Sequence, residues 1–310
     1  MAQSRQHQDR PLLGLTYRLI AIFGGATLLM LVKYLGERDV HLVEILFYRY
    51  LIAAITVGGF VLTQTGLSAL KTEKIGLHIL RAMIGIMAMA LNFWAVMLLP
   101  MAEAATLGFT MPLIATVLSV LILGEVVGIR RWSAVIIGFL GVIIAISPWS
   151  MSGSMSGDLS GQHAFPFFGT MVALAAAATA AMSVIMVRKL AKTESTHAIV
   201  LYYVGMATPI LAISMFWFGS SHSLEIMGLV VLVGILGTLV MWMYSESVRL
   251  ATIAVLAPID YLNFIFSAVY GYIIWNHWPA PSLWLGLPLI IWAGIYIARR
   301  EHKRRKQPDI

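Results

Sequence analysis

The chain has 310 residues, of which 60% are hydrophobic and only 11% are charged. Soluble globular domains carry about 25% charged residues, so this composition excludes an ordinary soluble domain and indicates an integral membrane protein. The net charge of +7 comes from basic residues scattered between apolar segments and from the C-terminal cluster ARREHKRRK, which favours an anionic membrane surface over nucleic acid as a partner.

Long apolar runs fill most of the chain. The first is too long for a signal-peptide core and has no small-x-small cleavage site after it, so we interpret it as a retained membrane helix. Because a helix rises 1.5 Å per residue, a hydrocarbon core of about 30 Å needs about 20 apolar residues. The runs are continuous rather than alternating, which predicts helices and not barrel strands. In chain order they are roughly 15–35, 42–63, 77–99, 102–123, 131–147, 166–187, 197–218, 224–245, 250–275 and 280–298.

The positions of the basic residues predict the topology of these ten runs. With the N-terminus in the cytoplasm, all but three of the 21 Lys and Arg residues fall in cytoplasmic segments. The exceptions are Lys33 and Arg38, on the opposite side, and Arg49, inside the second run. The sequence therefore predicts an all-α membrane protein of ten transmembrane helices with both termini in the cytoplasm.

The two halves of the chain carry a repeated motif. ATLGFTMP (105–112) and ATIAVLAP (251–258) share Ala, Thr and Pro at a constant offset of 146 residues. Each lies in the fourth run of a five-run half, and since five is odd, the second half enters the membrane from the other side. Inverted repeats of this kind are typical of secondary transporters. We predict a first repeat over 1–147, an external flexible Ser- and Gly-rich linker over 148–165, and a second repeat with a basic cytoplasmic tail over 166–310.

The matched prolines, Pro112 and Pro258, each remove a backbone donor inside an apolar run. The freed carbonyl needs a partner, so such a kink usually faces protein or a watery cavity. Either proline alone fits a simple packing kink. Their symmetry favours a pair of hinges.

Two segments resemble EamA-type members of the drug/metabolite transporter superfamily. The first runs from LPMAEAATLGFTMP to GVIIAISP, and the second runs from LATIAVLAPIDYLNF to IYIARRE. The family features are an alanine-rich start, a mid-helix proline, an LGE end, an Arg-Trp opening of the next helix and a GxxG helix. In this chain they fall on Ala104–Ala105, Pro112, Gly124–Glu125, Arg131–Trp132 and Gly138–Gly141. In the second half, WNHWP places His277 where the family often has Glu.

This resemblance covers nearly the whole chain. It implies a multi-pass carrier of small metabolites in the bacterial inner membrane, with a central cavity between the halves. It also implies candidate substrates among amino acids, S-adenosylmethionine and related metabolites.

Asp260 leads the candidate binding residues because a charge inside a bilayer is costly unless it is paired or hydrated. Asn263 and Ser267 follow on the same helical face, and Tyr261 borders it. Asp260 could take up a proton or pair with a cationic substrate group. The alternative is a structural carboxylate bonded to a neighbouring helix or to Arg49.

Arg49 needs an anionic partner because arginine is permanently charged. We expect either an ion pair with Glu44 or Glu103, or an anchor for a substrate carboxylate. Glu103, Thr106 and Thr110 share one helix face, although threonine hydroxyls often bond back to their own helix.

Asn92 and Trp94 lie within the third run and are expected to face the cavity. Trp242, Tyr244 and Glu246 lie near a helix end, where aromatic residues usually mark the membrane interface.

The leading functional hypothesis is a secondary carrier that works by alternating access and is driven by a proton or by exchange. The chain has no cysteine, no phosphate-binding loop, no HExxH or GxSxG motif and no histidines at metal-ligand spacing, so we expect no cofactor, no metal and no enzyme activity. A lipid-modifying intramembrane enzyme and a channel are the alternatives. We expect a small zwitterionic or aromatic substrate and a monomer or homodimer.

Overall fold

The computed structural model describes residues 10–65, 72, 74–146 and 167–306. Within these ranges every regular element is a helix. The predicted linker, 148–165, lies outside the described residues. The helices are α1 (Pro11–Gly36), α2 (Leu42–Ala53), α3 (Gly59–Thr65), α4 (Ile75–Leu98), α5 (Met101–Gly108), α6 (Met111–Leu123), α7 (Ile129–Ala145), α8 (Phe167–Leu190), α9 (Thr196–Phe218), α10 (Leu224–Leu250), α11 (Ile253–Asp260), α12 (Leu262–Trp275) and α13 (Pro281–Lys306).

Each of the ten apolar runs coincides with one helix or with two helices in line. A π-helical turn, Ala54–Gly58, joins α2 to α3. Eight segments are long and apolar enough to cross a membrane by length and composition. The remaining two runs correspond to α7, which has 17 residues, and to α11 with α12, which are separated at Tyr261. The all-helical membrane fold is therefore confirmed, while the count of ten spans and the side of the termini stay predictions.

The helix contacts follow the relation expected of an inverted repeat. Helix α1 (run one) packs along α10 (run eight), and α4 (run three) packs along α8 (run six). If runs one to five are exchanged with runs six to ten, the α1–α10 pair becomes the α8–α4 pair. Helix α7 (run five) packs along α13 (run ten), and that pair is converted into itself.

The two runs that carry the matched prolines, Pro112 and Pro258, are both interrupted. Helix α5 ends at Gly108, and α6 begins at Met111 with Pro112 in its first turn, where a proline loses no helical hydrogen bond. Pro258 lies inside α11, which ends two residues later. Broken helices of this kind surround the binding sites of many transporters.

Glycine allows a close approach between α7 and α13. Gly141 of α7 faces Gly286 of α13 so closely that a Cβ atom on Gly141 would lie 2.8 Å from the Gly286 carbonyl oxygen. Small residues are typical of contacts between membrane helices because they let the backbones meet.

Candidate functional site

A two-pronged salt bridge joins α1 to α11. Arg18 Nε donates to Asp260 Oδ1 at 2.5 Å, and Arg18 Nη2 donates to Asp260 Oδ2 at 2.6 Å. The Arg18 side chain is 4% exposed, whereas that of Asp260 is 32% exposed. Paired charge-assisted bonds of this kind are the strongest hydrogen bonds that side chains make, and here they leave the carboxylate partly open.

Tyr244 brings α10 into the same cluster. Arg18 Nη2 also donates to Tyr244 Oη at 2.7 Å, and the guanidinium carbon lies 3.5 Å from the centre of the Tyr244 ring. Arg18 Nη1 is buried without a hydrogen-bond partner among the described residues. We call Arg18, Tyr244 and Asp260 the charged triad.

Arg18 of the charged triad lies inside the helical bundle, whereas Tyr244 is 45% exposed. Arg18 is the eighth residue of α1, about 10 Å from the start of that helix by its rise. The distribution of basic residues in the sequence instead places Arg18 in the cytoplasmic segment at the start of the chain. Of the two structural partners expected for Asp260, the structure places a neighbouring helix beside it and not Arg49. The start of α1 at a proline was the available signal, since proline is favoured in the first turn of a helix.

The other predicted neighbours of Asp260 diverge at the break between α11 and α12. Tyr261 turns towards α13, where a Cβ atom on Gly294 would overlap its hydroxyl. Asn263 is half-buried, and Ser267 is fully buried with no hydrogen-bond partner for its hydroxyl among the described residues. Only Asp260 joins the charged triad.

The two helix breaks touch each other. Phe109 directly follows α5, Tyr261 directly follows α11, and their rings meet edge to face with 4.9 Å between the centroids. The interruptions beside Pro112 and Pro258 therefore share one aromatic contact.

Arg49 has neither of its expected carboxylate partners. Glu44 instead contacts His222, with 3.0 Å between Oε2 and Nε2. The Arg49 guanidinium faces the rings of Tyr50 and Phe93, at 5.4 and 5.9 Å from their centres.

Glu103 is buried at the end of the bundle where α4 finishes. Its Oε1 accepts a bond from the backbone nitrogen of Ala280 at 3.3 Å, which ties α5 to the start of α13. Lys33 lies nearby and donates to the carbonyls of Val96 and Leu99 at 3.3 and 3.1 Å. A cation at a helix C-terminus is stabilising, so this group holds the end of α4 in place.

Thr106 in α5 and Thr110 just after it bond locally, as the structural alternative expects. Thr106 donates to the carbonyl of Ala102 at 2.8 Å, and Thr110 donates to that of Leu107 at 2.7 Å. Both hydroxyls are fully buried.

Asn92 and Trp94 point to different sides of α4. Asn92 shares a face with Arg81 and Gly85, by helical spacing. Trp94 is 39% exposed and packs edge to face on Phe168, 5.3 Å between centroids.

Two His–Glu contacts that sequence reasoning missed lie at opposite ends of α9. Glu194 precedes α9 and approaches His78 at 3.6 Å, while His222 follows α9 and contacts Glu44. The length of α9 separates them by about 33 Å. Adding the repeat offset of 146 residues to position 78 gives 224, which is two residues from His222. Adding it to position 44 gives 190, which is four residues from Glu194. That offset was a usable signal.

Among the residues that the structure describes, no group of three or more His, Asp or Glu side chains could hold a metal ion.

Residues 12–147 and 167–299 match the model of the EamA-like transporter family. The chain belongs to that family. Membership confirms the resemblance seen in the sequence, and with the apolar helices it identifies a multi-pass membrane protein of a transporter family. The two matched segments lie on either side of the predicted linker.

Relatives that are named as transporters align with most of the chain. An S-adenosylmethionine uptake transporter of Rickettsia bellii is 26% identical over 294 residues, 94% of this chain and 95% of the relative. A riboflavin transporter of Vibrio cholerae is 25% identical, over 84% and 83% of the two chains. A pseudopaline exporter of Pseudomonas aeruginosa is 24% identical, over 83% and 86%. Import and export therefore both occur among these relatives.

One solved crystal structure shares the fold of this chain. It superposes with a TM-score of 0.58 at 18% identity, covering 94% of this chain and 98% of the other.

Proposed function

We propose that this protein is a secondary carrier that moves a small zwitterionic metabolite across the bacterial inner membrane by alternating access. The class includes amino acids and derivatives such as S-adenosylmethionine. The observation that carries the proposal is the salt bridge of Arg18 with the partly exposed Asp260. Family membership and the transport activities of the relatives support it.

The charged triad offers complementary charges to a zwitterion. An ammonium group can replace Arg18 beside Asp260, while a carboxylate replaces Asp260 beside Arg18. Breaking a buried ion pair by removing one partner is strongly destabilising, because it leaves an uncompensated charge. A ligand that brings both charges avoids that cost, whereas a neutral solute does not.

Such an exchange also loosens the contact between α1 and α11. In the bound state Arg18 no longer ties Asp260 to α1, so the carrier can change conformation once substrate is present. A ligand shifts a conformational equilibrium only through different contacts in the two states, and the split salt bridge supplies that difference.

The breaks at Phe109 and Tyr261 provide the place where the two halves can bend. Each lies beside its proline, and each interrupts the fourth run of its half. In this proposal the halves rock about these points while the site stays between them. Proton uptake by Asp260, or exchange against a second solute, drives the cycle.

The test is counterflow in liposomes that contain the purified chain. Vesicles are loaded with an unlabelled solute, and uptake of the same labelled solute is followed for single amino acids, S-adenosylmethionine and riboflavin. We expect transient accumulation with a zwitterionic solute. Flux without exchange would indicate a channel, product formation would indicate an enzyme, and counterflow of riboflavin alone would reject the zwitterion.

A further inference from the structure

A second cluster of charged and aromatic residues lies between α2, α4 and α9. The hydroxyls of Tyr50 and Tyr203 are 2.5 Å apart. The guanidinium of Arg49 lies 5.4 Å from the Tyr50 ring, and that of Arg81 lies 4.2 Å from the Tyr203 ring. We call these four residues the arginine–tyrosine cluster.

Both arginines lack a carboxylate partner among the described residues. Arg49 Nε, Arg81 Nε and Arg81 Nη1 are buried and make no hydrogen bond there. The nearby acids are engaged elsewhere: Glu44 contacts His222, and Glu194 accepts a bond from Thr72 at 2.9 Å. Two permanent charges without a counter-charge are unfavourable inside a membrane protein, so the cluster calls for an anion.

Glycines make room for both guanidinium groups. A Cβ atom on Gly85 would overlap Arg81 and the Tyr203 ring. A Cβ atom on Gly237 would lie 3.0 Å from Arg49 Nε. Glycine inside a helix is destabilising relative to alanine, and at these two positions it allows the charged groups to enter the bundle.

The tyrosine pair adds hydrogen-bonding capacity. In a contact between two hydroxyls, one donates its proton and the other accepts. The accepting hydroxyl keeps its own proton, which is free to bond an anion beside the arginines. Cation–π stacking alone would satisfy the arginine faces but not their buried N–H groups.

We infer that the arginine–tyrosine cluster binds the carboxylate or phosphate group of a soluble solute. This inference rests on the proposed function in one respect: the solute that binds to the cluster is taken to be the solute that is transported. The charged triad would then bind a zwitterionic part of the molecule, and this cluster would bind an additional anionic group or hold the carboxylate at another stage of the cycle.

The test measures anion binding without transport. The full chain is purified in a neutral detergent, and its thermal unfolding is followed by tryptophan fluorescence at constant ionic strength. Sodium acetate and sodium phosphate are the probes, with sodium chloride as the reference. At saturation we expect one of the probes to raise the unfolding temperature by roughly 5 °C over chloride.

Variants test whether the arginine–tyrosine cluster causes the shift in unfolding temperature. We expect Arg49→Gln and Arg81→Gln each to abolish the shift, and the exposed Arg249→Gln, which loses only its pair with Glu246, to keep it. If the Gln variants do not fold, Arg49→Lys and Arg81→Lys are used. They should raise the half-saturating concentration about fivefold or more, because lysine does not form the two parallel bonds of a guanidinium. No wild-type shift, or a shift that these variants retain unchanged, overturns the inference.

A lipid phosphate could supply the same chemistry, so the measurement is repeated in nanodiscs of phosphatidylcholine with and without phosphatidylglycerol. A stabilisation by phosphatidylglycerol that needs both arginines, with none from acetate or phosphate, rejects the soluble solute. Counterflow separates the two proposals. Transport without an anion shift rejects this site alone, whereas an anion shift without transport rejects the carrier.

Discussion

Phe109 and Tyr261 touch ring to edge at the two points where the runs that carry Pro112 and Pro258 are interrupted. Each directly follows the last residue of a helical segment, and they come from opposite halves of the chain. The contact therefore joins the two candidate hinges directly, so bending at one break should be felt at the other.

Removing this ring contact should slow transport more than it disturbs folding. We expect Tyr261→Ala to lower the counterflow rate about tenfold, corresponding to about 1.4 kcal/mol in the barrier, because the hinges lose their link. Tyr261→Phe keeps the ring and should transport close to the wild-type rate. Tyr272→Ala, within α12 and away from the breaks, is the matched control. Equal rates for the Ala and Phe variants at position 261 would reject the coupled hinge.

The Tyr261 hydroxyl fills a notch on α13 at Gly294, and we expect this position not to tolerate a side chain. A Cβ atom there would overlap the Tyr261 hydroxyl, so Gly294→Ala should cost about 1–3 kcal/mol of stability through overpacking. Thermal unfolding measures the loss. Combining it with Tyr261→Phe removes the clash and should recover most of the stability. Gly228→Ala is the control, since nothing lies within 4 Å of that position. A full penalty in the double variant would show that Tyr261 does not fill the notch.

The His–Glu contacts at the two ends of α9 should restrain access from opposite sides. Because the chain has no cysteine, Asn92→Cys introduces a single thiol inside the bundle. In that background we expect Glu44→Gln to increase labelling by an impermeant maleimide from the side where α10 begins. Loss of a contact worth about 1 kcal/mol changes a population about fivefold.

Glu194→Gln provides the opposite experiment. It should increase labelling from the other side of the membrane and leave the first side unchanged. Equal changes on both sides in either variant would mean that these contacts stabilise the bundle without controlling access.

Run length predicted the helices, and the matched prolines, Pro112 and Pro258, predicted the two runs that are interrupted, because both signals are local in the sequence. Pro209 and Pro288 lie inside continuous helices, so a proline alone does not predict a break. The partners of the charged residues were harder to predict. Asp260 was found from its depth in an apolar run, but Arg18 was assigned to the tail because the positive-inside rule counts charges near helix ends without showing where each side chain points. Glu44 and His222 are 178 residues apart, and only the fold brings them together.

For Arg49, too, the local property could be predicted from the sequence, whereas its partners could not. Its burial was predicted from its position in the second run, and its need for an anion was predicted from its fixed charge. The pairing with Glu44 or Glu103 rested on proximity in sequence or at a helix end. The structure gives those carboxylates other partners, His222 and Ala280, and places Arg49 beside aromatic rings.

The central claim is that the Arg18–Asp260 pair binds substrate as well as joining helices. Asp260→Asn alone leaves Arg18 buried without its partner, so a loss of transport could reflect misfolding. The decisive variant is the double change Arg18→Gln with Asp260→Asn, which removes both charges together.

The measurement is counterflow of the zwitterionic solute by this double variant in liposomes, with thermal unfolding measured on the same preparation. We predict an unfolding temperature close to that of the wild type and a counterflow rate reduced about a hundredfold, or about 2.7 kcal/mol in transition-state terms. A folded double variant that transports at the wild-type rate would contradict the account and make the salt bridge purely structural.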